Sequence, residues 1–234
     1  MKIIFVIPTF NAAPHIEDLV CSLKEQTNEN WAAIFINDMS EDDTIFMINH
    51  FTGNDKRFEL IVNKEKKWAL KNVIETSRLY QDNNNTIIAV LDGDDALCNN
   101  ETVQLLLNEY EDKNIDTVWT GHKWDINNIN ISKELPNVNP YEYPWVTSHL
   151  KTFRSTLLKK IKDENFKDLD SNWFRRGYDQ ALYLPLLDVS NKRKYIDEIC
   201  YFYRINSNSM KVREWKEQDQ LKTVKLVRAR GFVK

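Results

Sequence analysis

The chain has 234 residues, of which 42% are hydrophobic and 29% are charged, a composition typical of a folded domain with a substantial core. Its 32 basic and 35 acidic residues give a net charge of −3, which excludes a nucleic-acid-binding protein that works through bulk positive charge. No apolar run approaches the ~20 residues that a membrane-spanning helix needs. The three cysteines form no CxxC pair, so the sequence favours neither a disulfide framework nor a cysteine zinc site, and a reducing compartment is expected.

Short apolar runs alternate with amphipathic stretches in the first half of the chain. The runs, which we predict to be strands, are residues 3–7, 32–36, 58–62 and 87–91. Between them apolar residues recur at helical intervals, as at Ile16, Leu19 and Leu23, which predicts helices. This alternation predicts an α/β fold with a mostly parallel central sheet and helices on both of its faces.

Polar residues come directly after three of the predicted strands. Thr9 follows the first strand, Asp38 the second, and the segment 92–95 (Asp-Gly-Asp-Asp) the fourth. Right-handed crossovers bring the carboxyl ends of parallel strands to one edge of the sheet, and ligands of open α/β sheets bind at that edge. We therefore expect these polar residues to meet in one site.

The second half of the chain is less regular. We expect strands at residues 117–124 and 194–204, a loop rich in Asn and Pro at 126–148, and helices at 153–161, 179–187 and 213–230. We find no internal repeat and no clean linker. A single domain with a subdivision near residue 115 is therefore predicted.

The segment Asp92-Gly93-Asp94-Asp95 places three carboxylates within four residues at the end of a buried strand. Like charges held this close repel each other. A divalent cation that also binds phosphate oxygens is the natural partner, because hard cations choose oxygen ligands. Gly93 lets the backbone approach a neighbour closely or adopt a positive φ. An acidic surface turn is the alternative, since Asp and Gly are good turn formers.

An ordered set of short motifs resembles family 2 glycosyltransferases with the GT-A fold. The motifs are Ile-Pro-Thr-Phe-Asn at residues 7–11, Ile-Asn-Asp-Met-Ser-Glu-Asp-Asp-Thr at 36–44, Lys-Asn at 71–72 and Leu-Asp-Gly-Asp-Asp at 91–95, with later fragments at 153–154, 178–180 and 201–204. The resemblance implies one GT-A domain over residues 1–234. In it, 1–115 bind a nucleotide-diphosphate sugar, 116–212 bind the acceptor and 213–234 form a C-terminal helix. It also implies inversion of the anomeric centre by direct displacement.

The resemblance further implies a donor site in the N-terminal half. Its residues would be Pro8, Thr9, Asn11, Asp38, Lys71, Asp92 and Gly93. A carboxylate at Asp38 is a suitable acceptor for a uracil imide N–H, with a plain turn residue as the alternative. Lys71 stands where the family usually has an arginine, and it cannot form that residue's bidentate fork. A solvated lysine on a helix face is the alternative there.

A metal site is implied at the acidic segment. Asp94, together with Asp92, would bind Mn²⁺ or Mg²⁺, and Asp95 would be either a supporting partner or an ordinary capping group. Relatives often carry a histidine soon after the last Tyr-Arg pair, where this chain has Asn206. Because an amide carries no charge, the resemblance implies a weaker metal site or one completed by water and the diphosphate.

Asp179 matches the position of the family's catalytic base. Inverting transfer needs a carboxylate that takes the acceptor hydroxyl proton on the face opposite the leaving diphosphate. The start of a helix would keep that carboxylate ionised. The family's usual Glu-Asp pair is here Tyr178-Asp179, and a plain helix cap is the alternative role for Asp179.

Aromatic residues crowd the irregular half and could stack on the apolar faces of a sugar. We predict that Trp145 and Trp173 line an acceptor site and that His149 is a polar candidate beside them. Core packing of the rings and a structural histidine are the alternatives. The acceptor is left open between a glycan, a lipid-linked glycan and a protein hydroxyl.

The expected function is a metal-dependent inverting glycosyltransferase whose donor is a UDP-sugar. A non-catalytic sugar-nucleotide or glycan-binding module is the main alternative. A nucleotidyltransferase is disfavoured because its glycine-rich loop is missing after Ile7, and a haloacid-dehalogenase-type phosphatase because the acidic motif follows the fourth strand and not the first. We expect a cytoplasmic protein, free or peripheral at a membrane. A homo-oligomer is left open.

Overall fold

Residues 1–205 and 213–234 are described by the computed structural model. Their strands are β1 (Lys2–Thr9), β2 (Trp31–Asn37), β3 (Phe58–Val62), β4 (Thr86–Val90), β5 (Ala96–Leu97), β6 (Ile115–Trp124), β7 (Lys151–Arg154) and β8 (Lys192–Tyr203). These strands form one mixed sheet in the order β3-β2-β1-β4-β7-β6-β8-β5. Strands from before and after the predicted subdivision near residue 115 belong to the same sheet, which confirms the predicted single α/β domain.

The helices lie on both faces of this sheet. They are α1 (Ile16–Lys24), α2 (Thr44–Thr52), α3 (Trp68–Arg78), α4 (Thr102–Glu109), α5 (Tyr178–Val189) and α6 (Arg213–Arg230). Buried residues of α1, α2 and α4 share one core cluster, and those of α3, α5 and α6 share the other. Within the described ranges, no helix has both the length and the apolar character required to cross a bilayer.

Strand β1 shows why the apolar runs of the first half are continuous. Ile3 and Phe5 pack into the cluster on one face of the sheet, whereas Ile4 and Val6 pack into the cluster on the other face. All four are almost fully buried. A parallel strand covered on both faces needs apolar residues at every position, not an alternating pattern.

The direction of the strands changes at β7. Strands β3, β2, β1 and β4 run parallel to one another, and β7 is inserted antiparallel between β4 and β6. In this register Lys151 lies opposite Val90 of β4 and Trp119 of β6. The second half of the chain therefore contributes strands to the same sheet, next to β4.

The predicted helix at residues 153–161 is wrong. The structure has β7 (Lys151–Arg154) followed by a 3₁₀ segment, Ser155–Lys160. Phe153 packs into a core cluster, while the hydroxyl of Thr152 donates a hydrogen bond to the carbonyl of Val118. This segment is a strand because it pairs with β4 on one side and β6 on the other. The sequence of a short segment does not show such pairing.

Candidate active site

A cavity of about 510 Å³ opens where β1, β2 and β4 end, a volume within the ~300–1,000 Å³ range of small-molecule sites. The residues that line it come from both halves of the chain. They are Pro8, Thr9, Phe10, Ala12, Asp38, Lys66, Trp68, Ala69, Asn72, Asp92, Gly93, Asp94, Asp95, His149, Arg175, Arg176, Gly177, Tyr178, Asp179, Tyr203, Arg204 and Gln220. The predicted polar strand ends do meet at one edge of the sheet.

Gly93 packs closely against the end of β1. A Cβ atom there would come within 2.9 Å of Thr9 Oγ1 and 3.0 Å of the carbonyl oxygen of Pro8. The φ of Gly93 is not positive. Close approach between the acidic segment and the end of β1, and not an unusual backbone conformation, therefore explains the glycine.

Hydrogen bonds fix the acidic segment to distant elements. The Tyr178 hydroxyl, at the start of α5, donates to the Asp92 carboxylate. The Tyr201 hydroxyl donates to Asp95 Oδ2 at 2.7 Å, and the backbone N–H of Arg204 donates to Asp95 Oδ1 at 2.8 Å. The geometry therefore favours a supporting role for Asp95, which is buried, whereas Asp94 is only partly buried in the lining of the cavity.

Nearby positive groups do not fully offset the charge of the three carboxylates, and the pKa of each is raised. Burial, followed by repulsion from Asp179, raises the pKa of Asp92 to about 7. Burial raises the pKa of Asp94, and burial with repulsion from its two neighbours raises the pKa of Asp95 well above its usual range. A divalent cation beside Asp92 and Asp94 would offset their negative charge and favour the ionised carboxylates, so the residues fit such an ion.

Asp179 lies beside the acidic segment, and one of its carboxylate oxygens is within 4.8 Å of one from Asp92. Gly177, with φ of 64°, turns the chain into α5, and a Cβ at Gly177 would come within 3.0 Å of the carbonyl oxygen of Gln220 in α6. Asp179 Oδ1 accepts a hydrogen bond from Lys151 Nζ at 2.6 Å. Burial alone would raise the pKa of Asp179, but Lys151 and His149 lower it below the usual value. The carboxylate is therefore ionised at neutral pH.

A second set of groups is close enough to hold a metal ion. One ligand atom each from Asp92, His149 and Asp179 lie within 4.8 Å of one another. This set includes Asp92 of the predicted Asp92–Asp94 pair and replaces Asp94 with residues of the second half of the chain. His149, predicted as an acceptor contact, lines the cavity, is largely buried and stacks on Tyr201 with ring centroids 4.6 Å apart.

Asp38 is tied into the wall of the cavity. Its carboxylate accepts hydrogen bonds from the backbone N–H groups of Lys67 at 2.8 Å and Trp68 at 2.9 Å, and from Asn63 Nδ2 at 2.8 Å. Burial would raise its pKa, but these hydrogen bonds lower it. Asp38 is 3% exposed, and Trp68 has a φ of 66°. Asp38 thus holds the loop before α3 in a conformation that a tryptophan rarely adopts.

Three cations that line the cavity, Lys66, Arg175 and Arg176, are called its cationic wall. The sequence favours surface charge for Arg175 and Arg176, with contact to an anionic group as the alternative. Their guanidinium groups lie 5.6 and 5.4 Å from the ring centroid of Trp68, and Lys66 donates a hydrogen bond to the Asp38 carbonyl. Cationic side chains and carboxylates in one cavity suit a phosphate-bearing ligand.

Four predicted site residues lie outside this cavity. The side chain of Asn11 accepts a hydrogen bond from the N–H of Glu41, and Lys71 pairs with Glu75 on the surface of α3. Trp145 packs against a core cluster, and Trp173 stacks on Phe166 beside a second cavity of about 410 Å³. Their predicted roles stay untested. Asn206 lies outside the described residues.

The chain belongs to glycosyl transferase family 2, because the model of that family matches residues 4–182. This match confirms the resemblance read from the ordered motifs. Chondroitin synthase of Pasteurella multocida is 26% identical over 83% of this chain and 20% of its own length. The Escherichia coli UDP-Glc:alpha-D-GlcNAc-diphosphoundecaprenol beta-1,3-glucosyltransferase WfgD is 27% identical over 91% of this chain and 80% of its own length.

Solved structures confirm the GT-A fold. S. aureus TarS in complex with UDP matches 98% of this chain and 64% of its own with a TM-score of 0.70 and 16% identity. The mannosyltransferase PcManGT from Pyrobaculum calidifontis, in complex with GDP-Man and Mn²⁺, matches 96% of this chain and 64% of its own with a TM-score of 0.60 and 13% identity. The chain thus spans about a fifth of the chondroitin synthase and less than two thirds of these structures.

The close approach at Gly93 predicts that Gly93→Ala destabilises the protein. The added methyl group must displace Thr9 or the end of β1, and we expect a loss of about 1–3 kcal/mol in the free energy of unfolding. Urea unfolding measures it. The double variant T9A/G93A removes two of the clashing atoms and should regain part of the loss. A single variant as stable as the wild type would contradict the crowding.

The contacts of Asp38 predict that Asp38→Ala loosens the loop before α3. Two backbone N–H groups, those of Lys67 and Trp68, lose their acceptor, so unfolding should become easier by about 1–3 kcal/mol. Urea unfolding again provides the measurement, with the exposed Asp43→Asn as the matched control. Equal stability of D38A and wild type would show that the carboxylate does not hold the loop.

Proposed function

We propose that this protein is an inverting, metal-dependent glycosyltransferase that transfers a sugar from a UDP-sugar to an acceptor hydroxyl. The observation that carries the proposal is the position of Asp179. Its ionised carboxylate lines the same cavity as the acidic segment that ends β4. Direct displacement requires a carboxylate base in the same cavity as the groups that hold the leaving diphosphate.

The donor is proposed to lie along the sheet edge. Its nucleotide would occupy the side formed by Thr9, Asp38 and the loop before α3, and its diphosphate would lie between the acidic segment and the cationic wall. Asp94 and Asp92 would hold the divalent cation, which when bound offsets the negative charge of the diphosphate. UDP in TarS and the metal in PcManGT support this choice of donor and cation.

The proposed reaction is a single displacement. The acceptor hydroxyl oxygen attacks the anomeric carbon while its proton passes to the Asp179 carboxylate. The bond between the anomeric carbon and the diphosphate oxygen breaks, and its electron pair leaves with the nucleotide diphosphate. Attack from the side opposite the leaving group inverts the anomeric centre.

The two halves of the chain are proposed to bind different substrates. Residues 1–115 would bind the donor, 116–212 would bind the acceptor and supply the base, and the helix within 213–234 would support the start of α5. The contact of Gly177 with α6 is consistent with that last role. The acceptor is proposed to be a glycan, lipid-linked or protein hydroxyl. The name of WfgD specifies a sugar linked to a lipid diphosphate, which favours the lipid-linked class.

Replacing the base tests the proposal most directly. Asp179→Asn should reduce transfer by about 10²–10⁴-fold, because the amide cannot accept the hydroxyl proton. The stabilisation of the protein by UDP with Mn²⁺, measured as a thermal shift, should persist. The exposed Asp170→Asn serves as the control. Unchanged turnover in D179N would remove Asp179 as the base.

Cation binding should depend on pH near neutrality. Asp92 binds a cation as a carboxylate, and its pKa is about 7, so protons compete with the metal below that pH. The affinity for Mn²⁺ with UDP should therefore rise as the pH goes from 6 to 8, by at most about tenfold per pH unit. Calorimetry in buffers of different ionisation enthalpy measures the released proton. Asp92→Asn should lose the pH dependence, and the exposed Asp43→Asn should keep it.

A further inference from the structure

Lys151 is a charged side chain in the centre of the sheet. It lies on β7, between β4 and β6, and its side chain is completely buried. An ammonium group removed from water is costly unless it is paired and hydrogen-bonded. Its partners are Asp179 Oδ1 at 2.6 Å and His149 Nδ1 at 3.0 Å.

We propose that Lys151 is the positioning residue of the transfer reaction: it fixes the Asp179 carboxylate in the cavity and sets which nitrogen of His149 carries the hydrogen. This inference rests on the proposed function, in which Asp179 is the base. The resemblance to family 2 glycosyltransferases did not point to Lys151, and no motif contains it.

The first effect concerns the orientation of the carboxylate. Lys151 occupies Oδ1 of Asp179, so the other oxygen, Oδ2, is left to accept the proton of the acceptor hydroxyl. A carboxylate held at one oxygen does not rotate freely away from the reacting atoms. Misplacement of a catalytic group by about 1 Å can cost about 10²-fold in rate.

The second effect concerns charge. Asp92 and Asp179 have carboxylate oxygens within 4.8 Å of each other, and their repulsion contributes to the raised pKa of Asp92. The positive charge of Lys151 lowers the pKa of both carboxylates. The two acidic groups can therefore remain close together before any ligand arrives.

The third effect concerns His149. A lysine ammonium has three donors and no acceptor, so His149 Nδ1 must accept the hydrogen bond from Lys151. The neutral ring then carries its hydrogen on Nε2, which lies 3.9 Å from Asp179 Oδ1. Neither nitrogen offers a free lone pair. With Lys151 bonded to His149 and Asp179, these two residues do not bind a metal ion together with Asp92. The divalent cation would then be bound by Asp94 and Asp92.

The kinetic test replaces Lys151 with methionine, which keeps much of the volume without the charge. We expect kcat to fall by about 10²-fold, while the KM for the donor changes by no more than about threefold. Lys159→Met is the matched control, because Lys159 pairs with Asp82 at the surface. A kcat within threefold of wild type would overturn the proposal, as would a loss of donor binding equal to the loss of rate.

The double variant K151M/D179N separates this inference from the proposed function. It should be no slower than D179N alone, and more stable than K151M, because no buried carboxylate is left without a partner. If D179N itself keeps full activity, the proposed base is wrong. If D179N is inactive and K151M is active, only the role of Lys151 is wrong.

A measurement on the unaltered protein remains decisive should K151M fail to fold. Nitrogen-15 NMR of labelled histidine side chains distinguishes the two neutral tautomers, and His149→Gln assigns the signal. We expect the Nε2–H form at neutral pH. An Nδ1–H form would show that Lys151 does not donate to this ring, and it would overturn the assignment.

Discussion

The proposed site depends on the balance between buried carboxylates and positive groups in one cavity. The carboxylates of Asp92, Asp94, Asp95 and Asp179 converge from two distant parts of the chain, and burial makes each of them expensive to ionise. One buried ammonium, Lys151, offsets part of that charge at Asp179. The negative charge that remains suits a cation, which is the ligand proposed for Asp92 and Asp94.

The sheet order makes this balance possible. Strand β7 is inserted antiparallel beside β4, so the second half of the chain places a lysine next to the strand that ends in the acidic segment. A turn at Gly177 then brings the start of α5 close to that segment. The two halves are parts of one sheet, and neither contains a complete site without the other.

Hydrogen bonds hold the site in place before a ligand binds. Tyr178 connects the start of α5 to Asp92, Tyr201 connects β8 to Asp95, and Asp38 holds the loop before α3. Groups fixed in advance on a rigid framework need little rearrangement when charge develops during transfer. Asp95 and Asp38 are thus framework residues in geometry, although the sequence presents them as members of a binding motif.

The sequence by itself determined the alternating strands and helices, the edge at which polar residues meet, and the family. Apolar runs and helical spacing are local, and the carboxyl ends of parallel strands must share an edge. Only the tertiary structure decided that residues 151–154 form a strand, that Lys151 pairs with Asp179, and that Lys71 and Trp145 lie outside the cavity. The reason is that strand order and side-chain pairing join residues far apart in the chain, and no local pattern specifies which of them meet.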